Sequence, residues 1–342
     1  MQFHKKNFLI FVAITILSAC KKDNKANQVK SSPADVYLAG YIRAANSNSV
    51  ASYWKNDTLH ELADSSNNSS AWAIVVNSND VYVLGNRYNP NGGGFTYWKN
   101  GVPTDVNSGT FSISGRSMAV QNGNVYVAGV GLNNPAAYWL NGTEMPLNTS
   151  GYHGAFASAI AVNGNDVYVV GYAITNAGVI AILWKNSIPT VLANTTNSFA
   201  TDIIISENDI YVAGTISGSA AYWKNGVAKI LSQNSGVISS AYGIAVNGTD
   251  VYLTGYTTIP GSNPIPTLWK NGATEYLTNQ IAAQVSIDPS SYGECVNIVG
   301  NDLYISGHFY DQGNYYWKDG SLLQVGSPSR VESTVGMAVV QH

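Results

Sequence analysis

The feature that most constrains this chain is a pair of short motifs that alternate seven times along it. The first has the form Asp-Val-Tyr-x-x-Gly, with the glycine always three positions after the tyrosine, and the second has the form Trp-Lys-Asn-Gly. Successive tyrosines lie 41 to 52 residues apart, which is a period typical of repeat architectures. The tyrosines are Tyr37, Tyr82, Tyr126, Tyr168, Tyr211, Tyr252 and Tyr304, and the tryptophans are Trp54, Trp98, Trp139, Trp184, Trp223, Trp269 and Trp317.

Each repeat contains enough apolar segments for four short strands. In the fourth repeat these segments cover residues 159–162, 167–171, 181–185 and 190–193. Short turns rich in Asn and Gly separate the first two strands and the last two, and Asn-Gly is a strong signal for a tight β-hairpin. We expect a longer loop between the second and third strands.

The side-chain pattern indicates that both faces of each sheet are buried. Residues 167–170 read Val-Tyr-Val-Val, without the polar alternation of a sheet that has one face in water. A propeller blade has a neighbour on each side, so the pattern fits a blade. The first repeat lacks a leading strand, and residues 335–340 near the C-terminus supply one. The sequence thus predicts an all-β fold, a seven-bladed β-propeller over residues 35–342 with four antiparallel strands per blade and 3+1 closure. A closed ring buries its own core, so we expect a monomer.

The order of residues within a repeat resembles the HAF-type repeat of extracellular bacterial proteins. The matching positions in one repeat are Ile182, Leu183, Trp184, Lys185 and Asn186, then Leu192, Ala200, Ile203, Val212, Ala213 and Gly214. The resemblance is spread over all seven repeats. It implies an extracellular propeller and carries no assigned chemistry.

The N-terminus has the pattern of an export signal. Lys5 and Lys6 precede an apolar run that is too short to span a bilayer as a helix, and the run ends in Leu-Ser-Ala before Cys20. This ending resembles the lipobox of bacterial lipoproteins, which implies a signal peptide over residues 1–19 and a lipidated Cys20. The polar residues 20–34 then read as a flexible tether.

The implied location is the outer membrane, with the propeller displayed at the cell surface. The periplasmic leaflet of that membrane is the alternative, because the tether carries a single acidic residue, Asp23, where surface-export signals usually carry more. An ordinary secretory signal is the alternative to lipidation.

Composition and motifs argue against several functions. The formal net charge of −3, with scattered lysines, argues against a nucleic-acid partner. The sequence contains no Gly-x-Ser-x-Gly, no phosphate loop and no paired spacing of metal ligands. We therefore expect no cofactor and no metal site. With Cys20 lipidated, Cys295 has no disulfide partner and reads as a small buried residue.

The candidate site follows from aligning the repeats at the start of the first strand of each blade, which lies nearest the axis. One aligned position is small in nearly every repeat, with Asp202 as the exception, and the position before it is large and varied. We expect the long loops between strands to lie on the face of the propeller where these first strands begin, and two of these loops contain a histidine. The candidate ligand-binding residues are Trp72, Arg116, His153, Asp202, Tyr242, Glu294 and His308.

Such a set can stack on a sugar ring and bind its hydroxyls. The sequence therefore favours an anchored binding propeller for a glycan or a surface protein. One alternative is a structural subunit of an outer-membrane assembly, which predicts a large exposed apolar patch. Another is a propeller lyase or hydrolase, for which the charged and histidine members of the set are the available catalytic groups. A third possibility is that these side chains only plug or solvate the channel.

Overall fold

Seven four-stranded antiparallel sheets account for the described strands of this all-β chain. The computed structural model describes residues 34–88, 94–107, 114–131, 136–231, 236–277, 292–308, 314–325 and 332–341. The predicted signal peptide and Cys20 lie outside these residues. Within them, the structure contains no helix with the length and apolar character needed to cross a bilayer.

The blades follow the chain in order. Within each blade the four strands are called a to d, from strand a next to the axis to strand d at the outer edge. Blade 1 contains β28 (Glu332–Gln341), β1 (Ala34–Arg43), β2 (Ser49–Lys55) and β3 (Thr58–Glu61). Blade 2 contains β4 (Ser70–Asn77), β5 (Asp80–Asn86), β6 (Gly94–Lys99) and β7 (Val102–Asn107). Blade 3 contains β8 (Ser114–Gln121), β9 (Asn124–Val130), β10 (Ala136–Leu140) and β11 (Thr143–Pro146). Blade 4 contains β12 (Gly154–Asn163), β13 (Asp166–Thr175), β14 (Gly178–Lys185) and β15 (Ile188–Ala193).

The last three blades have the same order. Blade 5 contains β16 (Phe199–Ser206), β17 (Asp209–Ile216), β18 (Ser219–Lys224) and β19 (Val227–Ile230). Blade 6 contains β20 (Ile238–Asn247), β21 (Asp250–Thr258), β22 (Ile265–Lys270) and β23 (Ala273–Tyr276). Blade 7 contains β24 (Tyr292–Val299), β25 (Asp302–His308), β26 (Asn314–Lys318) and β27 (Ser321–Val325). The seven a strands contact one another in an unbroken cycle.

The ring closes as the sequence predicts. The C-terminal strand β28 pairs antiparallel with β1, placing Val339 opposite Val36, and so completes the first blade. This pairing covers the inner edge of β1 that would otherwise be open to another chain. The prediction of seven blades with 3+1 closure is confirmed.

The expected long loop between the second and third strands is wrong for blade 4. Strands β13 and β14 remain paired as far as Thr175 and Gly178, so only residues 176–177 connect them. The sequence pattern ended the second strand at the motif glycine Gly171 and began the third at Ala181. The mostly apolar residues 172–175 and 178–180 extend both strands, because backbone pairing continues through them.

The repeated tryptophans form the packing between neighbouring blades. All seven are at most 2% exposed. Trp184 of blade 4, for example, shares a core cluster with Tyr138 and Ala128 of blade 3. Its indole N–H donates to the carbonyl oxygen of Asn148 at 2.9 Å. One such ring per interface buries a large apolar area at an equivalent place around the whole propeller.

A second repeated arrangement ties strands b and c together at their shared end. In blade 4, Lys185 lies 2.7 Å from Asp166 and sits over the ring of Tyr168. The turn residue Asn186, with φ of 49°, accepts the backbone N–H of Val167 and donates to Asp166. Six blades contain this Asp–Lys pair, at 2.7 to 3.1 Å. The lysines are partly exposed to solvent, and each also neutralises a specific carboxylate.

Blade 3 supports this interpretation. Asn124 stands where the other blades have aspartate, and Leu140 stands where they have lysine. Both charges are therefore missing together, and neither is left without its partner. The turn itself persists, since Asn141 still accepts the backbone N–H of Val125 at 2.9 Å.

The strongest repeated feature is a β-bulge in strand a of every blade. Pairing between strands a and b shifts by one residue at the same place each time. The glycine of the Tyr-x-x-Gly motif lies opposite the residue before the bulge, as Gly171 lies opposite Ala157. A Cβ at Gly171 would collide with the backbone carbonyl oxygen of Phe156, and Gly85, Gly214 and Gly255 have equivalent contacts. The motif glycine is needed because the bulged strand approaches too closely for any side chain.

Candidate functional site

The seven bulged residues form what we call the axial ring. A bulge inserts one extra residue into a strand and redirects its side chain. The extra residues are Trp72, Arg116, Ser158, Thr201, Tyr242, Glu294 and Val335. They coincide with the aligned position that the sequence identified as large and varied. The bulge repeats in every blade, whereas the residue at the bulge differs from blade to blade.

The axial ring borders a cavity between the converging a strands. This axial cavity has a volume of about 390 Å³. Trp72, Ser158, Thr201, Tyr242 and Glu294 line it. The side chains of the other two ring members fall outside the described part of the structure. Asp202, one position further along its strand, also lines the cavity.

The position after each bulge is small because the a strands converge there. A Cβ at Gly336 would lie 2.8 Å from the Cα of Ala73 in the next blade. A Cβ at Gly243 would lie 2.6 Å from the carbonyl oxygen of Glu294. Neither distance is compatible with a normal contact, so the prediction of a crowded position next to the axis is confirmed.

Three polar side chains at this crowded position link neighbouring blades. Ser117 accepts the backbone N–H of Ile160 at 3.4 Å, and Asp202 accepts that of Ile244 at 3.0 Å. Cys295 makes the equivalent contact with the backbone of Met337. The links join blade 3 to 4, blade 5 to 6 and blade 7 to 1, and the other four aligned positions hold the small residues Ala73, Ala159, Gly243 and Gly336.

Asp202 is held by the backbone on both carboxylate oxygens. Its second oxygen accepts the N–H of Ile203 at 2.8 Å. Burial raises the pKa of Asp202 from 3.8 to about 6, and the two N–H donors oppose that rise. Asp202 therefore braces two blades in addition to lining the cavity. This bracing role was not visible in the sequence.

The two aromatic members of the ring are not sealed inside the core. Trp72 is half-buried and packs against the cluster between blades 2 and 3, unlike the seven fully buried tryptophans. Tyr242 is half-buried, with its ring centroid 5.8 Å from that of Tyr256. Both therefore retain surface facing the axial cavity, which a ligand-binding role requires.

Cys295 also lines the cavity and is poorly suited to nucleophilic chemistry. Burial, with smaller contributions from the nearby carboxylates of Glu294 and Asp202, raises the pKa of its thiol to about 12. The thiol is then protonated at neutral pH. Among the described residues, no three Asp, Glu, Cys or His side chains come close enough together to hold a metal ion.

The structure brings together four of the seven predicted site residues: Trp72, Asp202, Tyr242 and Glu294 all line the axial cavity. His153 does not line it. Its side chain is exposed, and its Nε2 lies 2.6 Å from Oδ1 of Asn176.

The remaining two predicted residues are described only in their backbone. Arg116 lies in β8, and its side chain falls outside the described part. His308 is the last residue of β25, so its placement in a long loop was wrong. Ser158 and Thr201 also line the cavity. The sequence analysis did not include them among the candidate site residues, although they occupy the same aligned position as Trp72.

Comparisons with known proteins support the fold alone. No family model and no curated protein sequence matches the chain. Among solved structures, a puromycin hydrolase superposes with a TM-score of 0.58 at 8% identity, over 86% of this chain and 52% of that one. A puromycin-hydrolysing peptidase from Mycobacterium tuberculosis gives a TM-score of 0.56 at 8% identity, over 84% and 51%. The chain thus spans about half the length of these structures.

The raised pKa of Asp202 predicts a pH-dependent stability. Between pH 4 and 6 the folded state binds more protons than the unfolded state, so stability falls as pH rises through this window. Urea unfolding should show the wild type losing about 2 kcal/mol over this window relative to Asp202→Asn, which cannot titrate.

Asp209 in the same blade provides the matched control. Hydrogen bonds from Lys224 and Asn225 lower its pKa, so its stabilising contribution is lost only at pH values below about 4. The wild type and Asp209→Asn should therefore show parallel profiles between pH 5 and 7. Parallel profiles for the wild type and Asp202→Asn over pH 4 to 6 would refute the assignment.

Proposed function

We propose that the chain is a lipid-anchored, extracytoplasmic binding propeller that takes a glycan at the axial ring. The observation that carries the proposal is the contrast at the bulge. The bulge repeats in every blade, the residue at the bulge differs from blade to blade, and the five such residues whose side chains are described all line the axial cavity. A position that served only packing would repeat, as the seven tryptophans do.

The chemistry of the axial cavity fits a polyhydroxylated ligand. Trp72 and Tyr242 offer aromatic surface, and the carboxylate of Glu294 and the hydroxyl of Thr201 offer hydrogen-bonding groups. Binding sites for small molecules commonly combine apolar and aromatic walls with a few placed polar groups. The cavity volume of about 390 Å³ is large enough for one or two sugar rings.

A hydrolase or lyase role has less support. Such a role needs an acid, a base or a nucleophile converging on one substrate. Of the described candidates, Glu294 and Asp202 line the axial cavity, but both oxygens of Asp202 accept backbone N–H groups, His153 lies outside the cavity, and the thiol of Cys295 is held protonated. The hydrolytic activity belongs to the peptidases of similar fold, and 8% identity carries no residue correspondence.

The anchoring part of the proposal rests on the N-terminal sequence. The lipobox-like ending at Cys20 and the polar tether to residue 34 fit a propeller held at a membrane surface, with the cell surface preferred to the periplasmic leaflet. The resemblance of the repeats to HAF-type repeats agrees with an extracellular setting.

Binding can be tested on a broad glycan array with the purified protein. The wild type should bind a defined set of glycans saturably. Trp72→Ala and Tyr242→Ala should each weaken binding at least about fivefold, because each removes an aromatic contact with the ligand. Tyr276→Ala is the matched control, since Tyr276 is half-buried in the outermost strand of the same blade as Tyr242 and does not line the axial cavity. It should bind as the wild type does.

Two results would count against the proposal. Equal loss in Tyr276→Ala would show that binding is not located at the axial ring. Failure of the wild type to bind any glycan would favour a protein partner or an assembly role instead. Ile188, Val191, Val227 and Ile230 would then be the first surface to test, because they are exposed on the outer strands of blades 4 and 5.

Lipid anchoring predicts a clear effect of Cys20→Ala. The wild type should incorporate labelled palmitate and sediment with membranes until detergent is added, because its lipid chains insert into the bilayer. The variant should incorporate no label. Labelling of the variant at the wild-type level would exclude Cys20 as the lipidated residue.

A further inference from the structure

A second pocket opens beside the axial cavity, and nothing in the preceding argument uses it. This side pocket lies among blades 4, 5 and 6 and has a volume of about 320 Å³. Ser158, Thr201 and Tyr242 line both the side pocket and the axial cavity. The two spaces are therefore neighbours that share three members of their walls.

Aromatic rings from three blades line the side pocket. Tyr172 of blade 4 and Phe199 of blade 5 meet edge to face, with centroids 5.2 Å apart and ring planes at 73°. Tyr242 and Tyr256 of blade 6 form a tilted pair at 5.8 Å. Aromatic surface of this kind accepts the C–H-rich face of a sugar ring.

Hydroxyl groups supply the polar part of the lining. Thr215 and Ser240 share a hydrogen bond of 2.7 Å between their hydroxyl oxygens. Such a pair uses one of its two protons internally, so one proton and several lone pairs remain for a ligand. Thr201 donates its proton to the carbonyl oxygen of Ala241 at 2.7 Å and keeps its acceptor capacity. None of the described side chains that line the side pocket is charged.

Together these features of the side pocket favour an uncharged ligand. A carboxylate or ammonium group would lose its hydration in the side pocket and meet no opposite charge among the described lining residues, which is unfavourable. An uncharged ring that carries hydroxyl groups loses far less, because the hydroxyls of Thr215 and Ser240 can replace water.

We propose that the side pocket binds one neutral sugar residue of the glycan whose remainder occupies the axial cavity. This inference rests on the glycan-binding function proposed above. Phe199 and Tyr256 contact the ring of this sugar, and the hydroxyls of Thr215 and Ser240 bind its hydroxyl groups. The axial cavity, which contains Glu294 and Asp202, is the subsite that meets the more polar part of the ligand.

The test uses saturation-transfer NMR on the purified protein with the methyl glycosides of glucose, galactose, mannose and N-acetylglucosamine. Methyl glucuronide serves as the charged counterpart of methyl glucoside. The wild type and Trp72→Ala should both transfer saturation to at least one neutral glycoside and give weaker transfer to the glucuronide. Phe199→Ala and Tyr256→Ala should bind that glycoside at least about fivefold more weakly.

Two further variants guard against loss of folding. Ser240→Ala removes one hydroxyl and little volume, and should also weaken binding. Tyr222→Ala changes a half-buried tyrosine in β18 that lines neither space, and should leave binding unchanged.

The outcomes separate the side pocket from the broader proposal. If neutral glycosides bind normally to the Phe199, Tyr256 and Ser240 variants but not to Trp72→Ala, the proposed sugar site in the side pocket is wrong. Binding at the axial ring would then still stand. Equal binding of glucuronide and glucoside would overturn the selection for neutral sugars. Absence of transfer to every neutral glycoside would overturn the side pocket, while the glycan array would still decide the broader function.

Discussion

The close approach of a bulged strand to a glycine is the constraint on which this propeller depends. In four blades a Cβ on the motif glycine would collide with the bulged strand a, as a Cβ on Gly171 would collide with the carbonyl oxygen of Phe156. Only a residue without a Cβ fits at that point. The bulge adds one residue to strand a of every blade, and the five of these residues whose side chains the structure describes line the axial cavity. The glycine motif and the candidate site are thus two consequences of one backbone feature.

The residues at the shared ends of strands b and c recur from blade to blade, whereas those at the axis vary. At the ends of strands b and c, the equivalents of Asp166, Lys185 and Asn186 recur, and blade 3 lacks both charges of the pair. These exposed ion pairs contribute modestly to stability, and the turn hydrogen bonds fix the position of each hairpin. At the centre, side chains vary at positions whose backbone is fixed. Asp202 has two roles, since its carboxylate links blades 5 and 6 by hydrogen bonds and also lines the axial cavity.

Most of the fold could be predicted because its determinants are local and repeat seven times. Tyr168, Gly171 and Trp184 each stand for a position that recurs in every blade, so an alignment of the repeats gives blade number, strand order and closure. The length of β13 was underestimated because the motif glycine Gly171 was taken as the end of the strand, whereas pairing continues through residues 172–175. The bulge was also not predicted, since it is a property of two paired strands.

The candidate site could be predicted only in part. The repeat alignment found Trp72, Tyr242 and Glu294 because they occupy the one aligned position that is large and varied from repeat to repeat. It could not find Phe199 or Tyr256, which join Tyr242 in the side pocket from different strands of two blades. Nor could it show that Asp202 is held by two backbone N–H groups, since one donor comes from the neighbouring blade. Contacts between blades depend on the radial packing of the ring, which no single repeat encodes.

The central claim is that the motif glycine permits the bulge that builds the axial ring, and urea unfolding of two variants in the same sheet tests it most directly. A Cβ at Gly171 would strike the backbone of Phe156, whereas a Cβ at Gly154 would make an ordinary contact of 3.5 Å with Ile174. The account predicts that Gly171→Ala lowers the free energy of unfolding by about 3 kcal/mol and that Gly154→Ala changes it by less than about 0.5 kcal/mol. Equal effects of the two substitutions would contradict it.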